Sequence, residues 1–283
     1  MRTLLTKKIW FRALQSRTAD TGAESSPTPE ELATLRFGRG AAASAVAACV
    51  ASAGVACIRD AMPAELAATS AKAAMALLGQ LRAAAEAQGL LADGGNGLFT
   101  KELVWRNKGR WDVTLDGAGA PFDAARAAAQ GAWMPTCRRC LGADCALLHV
   151  GAVVSEPGAA LQQMHRDGVA LFGRPGLPAH CLTVFVPLCA LTAENGPTTY
   201  YRSTHTTVGD RVAPEGEADE PAARAACAVD FAGVDAGAAI IFDYRILHFG
   251  GANTTRDPRP MLYFTYGRAW FKDATNYSSV SLL

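Results

Sequence analysis

The chain has 283 residues, half of them apolar, with 27 Lys and Arg against 26 Asp and Glu and a formal charge of +1. That balance gives no electrostatic footing for nucleic acid or a membrane surface as the main partner, and Ala-rich stretches such as 41–56 are broken by Ser, Cys and Gly, so none reads as a membrane span. Eight cysteines in a chain able to bury a large core do not make a disulfide scaffold, and they point to a reducing, intracellular and cytoplasmic setting.

Residues 1–17, MRTLLTKKIWFRALQSR, carry five cations and no acid. They fit an organellar targeting segment or a basic amphipathic helix that packs Leu4, Leu5, Ile9, Trp10 and Leu14. Residues 18–30, rich in Thr, Ser and Pro, read as a linker. From 31 to 89 Ala, Leu and Met recur at helical spacing, with helix starts at Ser44 and after Pro63 and a stop at Gly89. ADGGNG at 92–97 is a break, 98–115 mixes aromatics with cations as one or two strands, and 121–140 reads as a helix.

Beyond 140 the texture changes to short β-branched or aromatic runs at 146–155, 181–189, 228–234, 238–244 and 260–268, separated by Gly, Pro and Asn clusters. Such spacing predicts a sandwich or barrel. Helices first and strands second, without βαβ alternation, give an α+β class. The expected organisation is a basic segment and linker (1–30), then one domain (31–283) with a helical part (31–140) and a β-rich part (141–270). Residues 209–227 read as an insertion between strands.

Five histidines are present: His149, His165, His180, His205 and His248. In an extended stretch His165 and Asp167 point to one face while Arg166 points away. Two His and one carboxylate on one face of an octahedral iron(II) leave three open positions, enough for a keto acid in two and dioxygen in the third. Residues 238–248, AAIIFDYRILH, read as a buried strand leading to His248, and Arg259 follows 11 residues later at the start of its expected neighbour, which places both near one barrel mouth. An arginine fork can hold a distal carboxylate through two parallel hydrogen bonds.

The order LQQMHRDG, ENGPTTYYRSTH, ILHFGGANTTRDPRPMLYF resembles the phytanoyl-CoA dioxygenase family of 2-oxoglutarate oxygenases, over roughly residues 140–270. The resemblance implies a double-stranded β-helix (jelly-roll, cupin-like) core with N-terminal helices packed on it. It also implies Fe(II) on His165, Asp167 and His248, 2-oxoglutarate on Arg259, dioxygen as the other co-substrate and a small-molecule substrate. Succinate and carbon dioxide would leave as a C–H bond is hydroxylated or otherwise oxidised. Related halogenases lack the carboxylate that Asp167 supplies here. The middle motif departs from the family, with Arg202-Ser203-Thr204-His205 where Pro-Gly-Ser-His is usual. Many relatives carry a hydroxyl two residues after the distal histidine; Gly250 stands there, so that contact must come from elsewhere.

Other residues have two readings each. Gln162 or Gln163 could face the pocket, and the hydroxyls of Thr183 and Thr198 could reach a carboxylate. His205 is a fourth candidate ligand or, by the resemblance, a structural histidine closing a turn; His149 and His180 read as core or loop residues. Cys137, Cys140 and Cys145 with His149 are a zinc site or buried thiols. Trp105, Arg106, Lys108, Arg110 and Trp111 line the barrel mouth or form an exposed face with snorkelling cations. Tyr200, Tyr201, Arg202, Tyr244 and Phe172 are further pocket candidates. Rival functions are a non-catalytic metal- or 2-oxoglutarate-binding jelly-roll, a cupin dioxygenase needing no keto acid, and a zinc-stabilised module.

Overall fold

The computed structural model describes residues 33–208 and 227–283. The basic N-terminal segment and all but the last residue of the expected insertion lie outside the described residues. Eleven strands are described: β1 (Arg36–Phe37), β2 (Val55–Ile58), β3 (Leu103–Asn107), β4 (Arg110–Thr114), β5 (Ala146–Ser155), β6 (Cys181–Pro187), β7 (Thr198–Tyr201), β8 (Ala228–Val229), β9 (Ala239–Asp243), β10 (His248–Gly250) and β11 (Arg259–Gly267). They form an eight-stranded sheet in the order β1-β2-β9-β6-β11-β5-β4-β3 and a three-stranded sheet in the order β10-β7-β8. An isolated bridge between His165 and His248 extends the small sheet by one rung. From β5 onward the chain passes between the two sheets repeatedly: β5, His165, β6, β7 and β8, β9, β10, β11. That alternation is the double-stranded β-helix.

Period two divides the large sheet into two faces. Its outer residues, among them Ala152, Val154, Val184, Ile241, Leu262 and Phe264, share one buried cluster with four helices: α1 (Ala43–Ala53), α2 (Ala64–Ala87), α3 (Phe122–Ala132) and α4 (Met134–Leu141). In α2 the buried positions Ala67, Ser70, Ala74, Leu78, Leu81 and Ala85 recur every three or four residues. Phe264 is fully buried and its ring lies 5.3 Å from that of Trp133. Phe264→Ala should therefore cost about 3–5 kcal/mol, read as a lower denaturant midpoint at unchanged slope. The inner residues Val55, Cys57, Ile240 and Phe242 meet Tyr200 and Val229 of the small sheet. Further along the same inner face lies the cavity described below.

Several boundaries differ from expectation. The stretch read as helical also supplies β1 and β2. Gly54, at φ +85°, ends α1 and turns the chain straight into β2, a four-residue buried run hidden among alanines. The 121–140 helix breaks at Trp133, and Pro135 sits in the first turn of α4. The 228–234 run pairs only at Ala228–Val229. The 238–248 stretch is two strands in different sheets, because a turn at 244–247 separates β9 from β10. β10 pairs with β7, whereas β11 lies between β5 and β6, so Arg259 does not start the neighbour of the His248 strand. His248 and Arg259 stand on opposite sheets and are 3% and 1% exposed, deep in the barrel instead of at its mouth. No helix among the described residues is long and apolar enough to cross a membrane.

Candidate metal centre

Two backbone hydrogen bonds fix the histidines against each other: His165 N–H donates to His248 O at 2.9 Å, and His248 N–H donates back to His165 O at 2.9 Å. Directly opposed residues share a face, and the two rings lie 4.5 Å apart. Asp167 joins them two residues on. One ligand atom from each residue falls within 4.8 Å of the others, and Asp167 Oδ1 is 4.0 Å from His165 Nε2 and 3.7 Å from His248 Nε2. The 4.0 and 3.7 Å separations fall within the span of two metal–ligand bonds of about 2.0–2.2 Å.

The tautomers suit a metal. His165 Nδ1 is 2.7 Å from Gln163 O, and His248 Nδ1 is 3.0 Å from Ile246 O. A carbonyl only accepts, so each Nδ1 carries the proton and each Nε2 turns a lone pair to the common centre. Burial, with the adjacent His248 adding to it, pushes the His165 pKa down to about 4, which keeps its ring neutral at pH 7. Arg166 points away, as its odd position requires. Its guanidinium donates to Thr204 O at 2.7 Å, to Arg245 O, and to Thr207 Oγ1 at 3.2 Å, tying the ligand loop to the turn before His248.

The triad opens into a cavity of about 140 Å³ between the sheets. Cross-strand register orders its walls in rows. Arg110, Ser155 and Arg259 form one row on the large sheet, of which Arg110 alone lines the cavity, and the next row, Asp112, Val153 and Met261, lies wholly on its wall. Tyr263 follows, its ring lying across Gly151, where a Cβ would come within 2.4 Å of the phenol oxygen. Asp112 is paired with Arg106 and is 3% exposed. Arg110 and Arg259 are each 1% exposed, and among the described residues neither pairs with a carboxylate. Burial, then the nearby Arg259, pushes the Arg110 pKa down. Two buried cations without a counter-charge are costly, and an anion between them would relieve that cost.

A match to the family model for phytanoyl-CoA dioxygenase (PhyH) runs over residues 50–261. The chain belongs to the phytanoyl-CoA dioxygenase family. Dioxygenase af480 from Aspergillus fumigatus is 27% identical over 140 residues, which are 49% of this chain and 43% of that protein, so the chain matches less than half the length of that curated relative. Among solved structures, EctD from S. alaskensis with 2-oxoglutarate and 5-hydroxyectoine is similar at a TM-score of 0.59 and 21% identity, over 94% of this chain and 90% of EctD. The epimerase SnoN in complex with Fe3+, α-ketoglutarate and nogalamycin RO is similar at 0.54 and 21%, over 86% and 85%. These likenesses agree with the jelly-roll fold of the described residues.

Within this PhyH chain most candidate residues gather at the cavity. Gln162, Thr183, Thr198 and Tyr244 line it with the triad. Gln163 is exposed and faces out. Gln162 Oε1 is already engaged, accepting from Gly250 N–H at 3.0 Å and Arg110 Nη1 at 3.3 Å. Thr183 Oγ1 is buried without a hydrogen-bond partner among the described residues. Arg259 stands behind Met261: Nε donates to Asn195 O at 3.0 Å, Nη2 to Ser155 Oγ at 2.9 Å, and Nη1 has the Met261 sulfur at 3.8 Å.

Other candidates fall elsewhere. His205 is not part of the cluster; its Nε2 is 3.1 Å from Ala51 O and its ring fits against Gly54. Tyr200 stacks behind His248 with ring centres 5.9 Å apart, Tyr201 packs on Phe249, and Phe172 is 78% exposed. Cys137, Cys140 and Cys145 are free thiols around α4, and among the described residues the triad is the only group of three or more metal-type ligands. Of the Trp105–Trp111 alternation, Arg106 and Arg110 face the cavity, while Trp111 joins the helical core on the outer face. Sequence reasoning missed Asp112, Met261, Tyr263, Thr265, Asn276 and Tyr277. The every-second-residue rule applied from Arg259 along β11 would have found three of them.

Gly250 has a clear role. A Cβ there would sit 1.9 Å from Arg110 Nη1. The place where many relatives have a hydroxyl is filled by the Arg110 guanidinium, which donates to Gly251 O at 2.8 Å.

Proposed function

We propose that this chain is an Fe(II)- and 2-oxoglutarate-dependent oxygenase that hydroxylates a C–H bond of a small organic molecule and releases succinate and carbon dioxide. The observation that carries the reading is the convergence of two Nε2 lone pairs and one carboxylate beside a buried, uncompensated pair of guanidiniums. The donor set suits a ferrous ion, and one protein-held face leaves positions for co-substrate. Iron with 2-oxoglutarate and dioxygen supplies the oxidising power.

The chain's own groups supply position, charge and exclusion of water. His165, Asp167 and His248 would hold the metal. Arg259, with Arg110 two strands further along the same row beyond Ser155, would neutralise the distal carboxylate of 2-oxoglutarate. Thr183, Thr198 and Gln162 would border it. The opposite end, where Arg106, Asp112, Tyr263, Asn276 and Tyr277 line the wall, would face the substrate and suits a polar small molecule. SnoN and EctD were seen with small organic ligands, which is in keeping with this. A cupin centre with a third histidine would need His205, whose ring is committed to the Ala51 carbonyl.

Succinate release from 2-oxoglutarate, measured with Fe(II) across a broad substrate panel, tests the reading. Substrate-stimulated turnover is expected; none, with iron shown to be bound, would overturn it. Gly250→Ala adds a narrower check. The new methyl displaces the end of Arg110 and leaves the backbone in place. It should raise the 2-oxoglutarate concentration for half-saturation about tenfold, the scale of one charge-assisted hydrogen bond. No change would remove Arg110 from the co-substrate site.

A further inference from the structure

The family match stops at Met261, yet the end of the chain returns to the metal centre. We propose that the C-terminal segment 273–277 is a working part of the site, with Asn276 as the positioning residue for the carboxylate ligand Asp167. The proposal rests on the metal reading of the triad.

The three ligands are not held alike. His165 and His248 are locked by their exchanged backbone bonds. Asp167 sits in a bend beyond that rung, and among the described residues its backbone makes no ladder bond. What reaches it is Asn276, 9% exposed, whose Nδ2 donates to Asp167 O at 3.1 Å. The same nitrogen faces Tyr244 Oη at 2.6 Å and Asp273 Oδ2 at 2.7 Å. A carbonyl and a carboxylate can only accept, so the amide orientation is fixed by chemistry.

Asp273 builds the turn that presents Asn276, accepting from Thr275 N–H at 2.9 Å and Asn276 N–H at 3.1 Å. Tyr244 donates its hydroxyl to Asp273 and also packs against the ligand loop at Gly168. A Cβ on Gly168 would be 2.6 Å from the Tyr244 ring, and Gly168 N–H donates to Tyr244 O at 2.9 Å. The peptide that follows Asp167 is thus held at its carbonyl by Asn276 and at its N–H by Tyr244. The next residue, Tyr277, stacks on His149 and lines the cavity. Holding a ligand in place before the ion arrives lowers the ordering cost of binding, and partners just outside a metal site shift affinity by roughly 10- to 100-fold.

The test is a double-mutant cycle on the full chain. Co(II) is titrated into metal-stripped wild type, Asn276→Ala, Asp167→Ala and the double variant, and thermal unfolding of each metal-free protein is recorded. Asn276→Ala should weaken Co(II) about tenfold with the metal-free unfolding midpoint retained, and should add nothing once Asp167 is already Ala. Affinity within about twofold of wild type, or the same loss in the Asp167→Ala background, would overturn the proposal. Should Asn276→Ala not fold, Asn276→Asp keeps the volume, sets a carboxylate against two acceptors, and goes through the same cycle with the same expectation. His248→Ala is the control that separates the two readings: undiminished Co(II) binding there would sink the metal centre itself, whereas a failed cycle beside a weakened His248→Ala sinks the positioning role alone.

Discussion

His248→Ala is expected to reduce metal affinity at least 100-fold and to take succinate formation below detection. The residue gives the most enclosed of the three ligand atoms, with Tyr200 and Phe242 rings packed behind it at 5.9 and 5.2 Å. The replacement methyl offers no donor, and the remaining imidazole and carboxylate cannot define a face. Metal binding that favours the folded state adds about 2.7 kcal/mol at a hundredfold excess over Kd. Denaturant unfolding with and without Co(II) should therefore show a stabilisation in wild type that vanishes in the variant. Equal stabilisation in both would move the metal to another site.

Arg259→Ala should raise the 2-oxoglutarate requirement by roughly two orders of magnitude or more. Truncating one partner of a buried charged pair costs about 2–5 kcal/mol, and 1.4 kcal/mol is tenfold. Arg259→Lys keeps the charge but loses the planar fork, so it should recover only part of the loss. Binding of 2-oxoglutarate, measured directly by calorimetry on the metal-loaded protein, separates this from a general weakening, because Co(II) affinity without keto acid should be little changed. An unaltered 2-oxoglutarate affinity in a folded Arg259→Ala protein would assign the anchor to Arg110 instead.

The convergence of His165, Asp167 and His248 was legible because its signal is local and chemical: His165 and Asp167 at spacing two, and a histidine closing an apolar run. The strands β5 and β11 were legible because each is a long β-branched and aromatic run ended by turn residues. β2 was not, because four buried residues inside an alanine-rich stretch carry no periodicity to distinguish strand from helix. β10 was hidden because the apolar run 238–248 conceals a change of sheet at its turn. Arg110 was read as a rim or surface cation, the common fate of an arginine in a Trp- and Arg-rich hairpin. Its true depth follows from register: β4 beside β5, β5 beside β11, and Gly250 leaving room opposite. That Gly250 removes a hydroxyl was visible in the sequence, but not that a residue 140 positions earlier fills the gap. Asn276 and Tyr277 carry no motif, and only the folded chain brings its last turn back to Asp167.

Anaerobic addition of 2-oxoglutarate to the Fe(II)-loaded protein, followed by visible absorption, tests the assembly of iron, triad and keto acid in one step. A charge-transfer band that requires both additions, is missing in His248→Ala and needs far more 2-oxoglutarate in Arg259→Ala is the result expected. A wild-type protein that binds iron and 2-oxoglutarate yet forms no such band would contradict it, since the keto acid would then lie away from the metal.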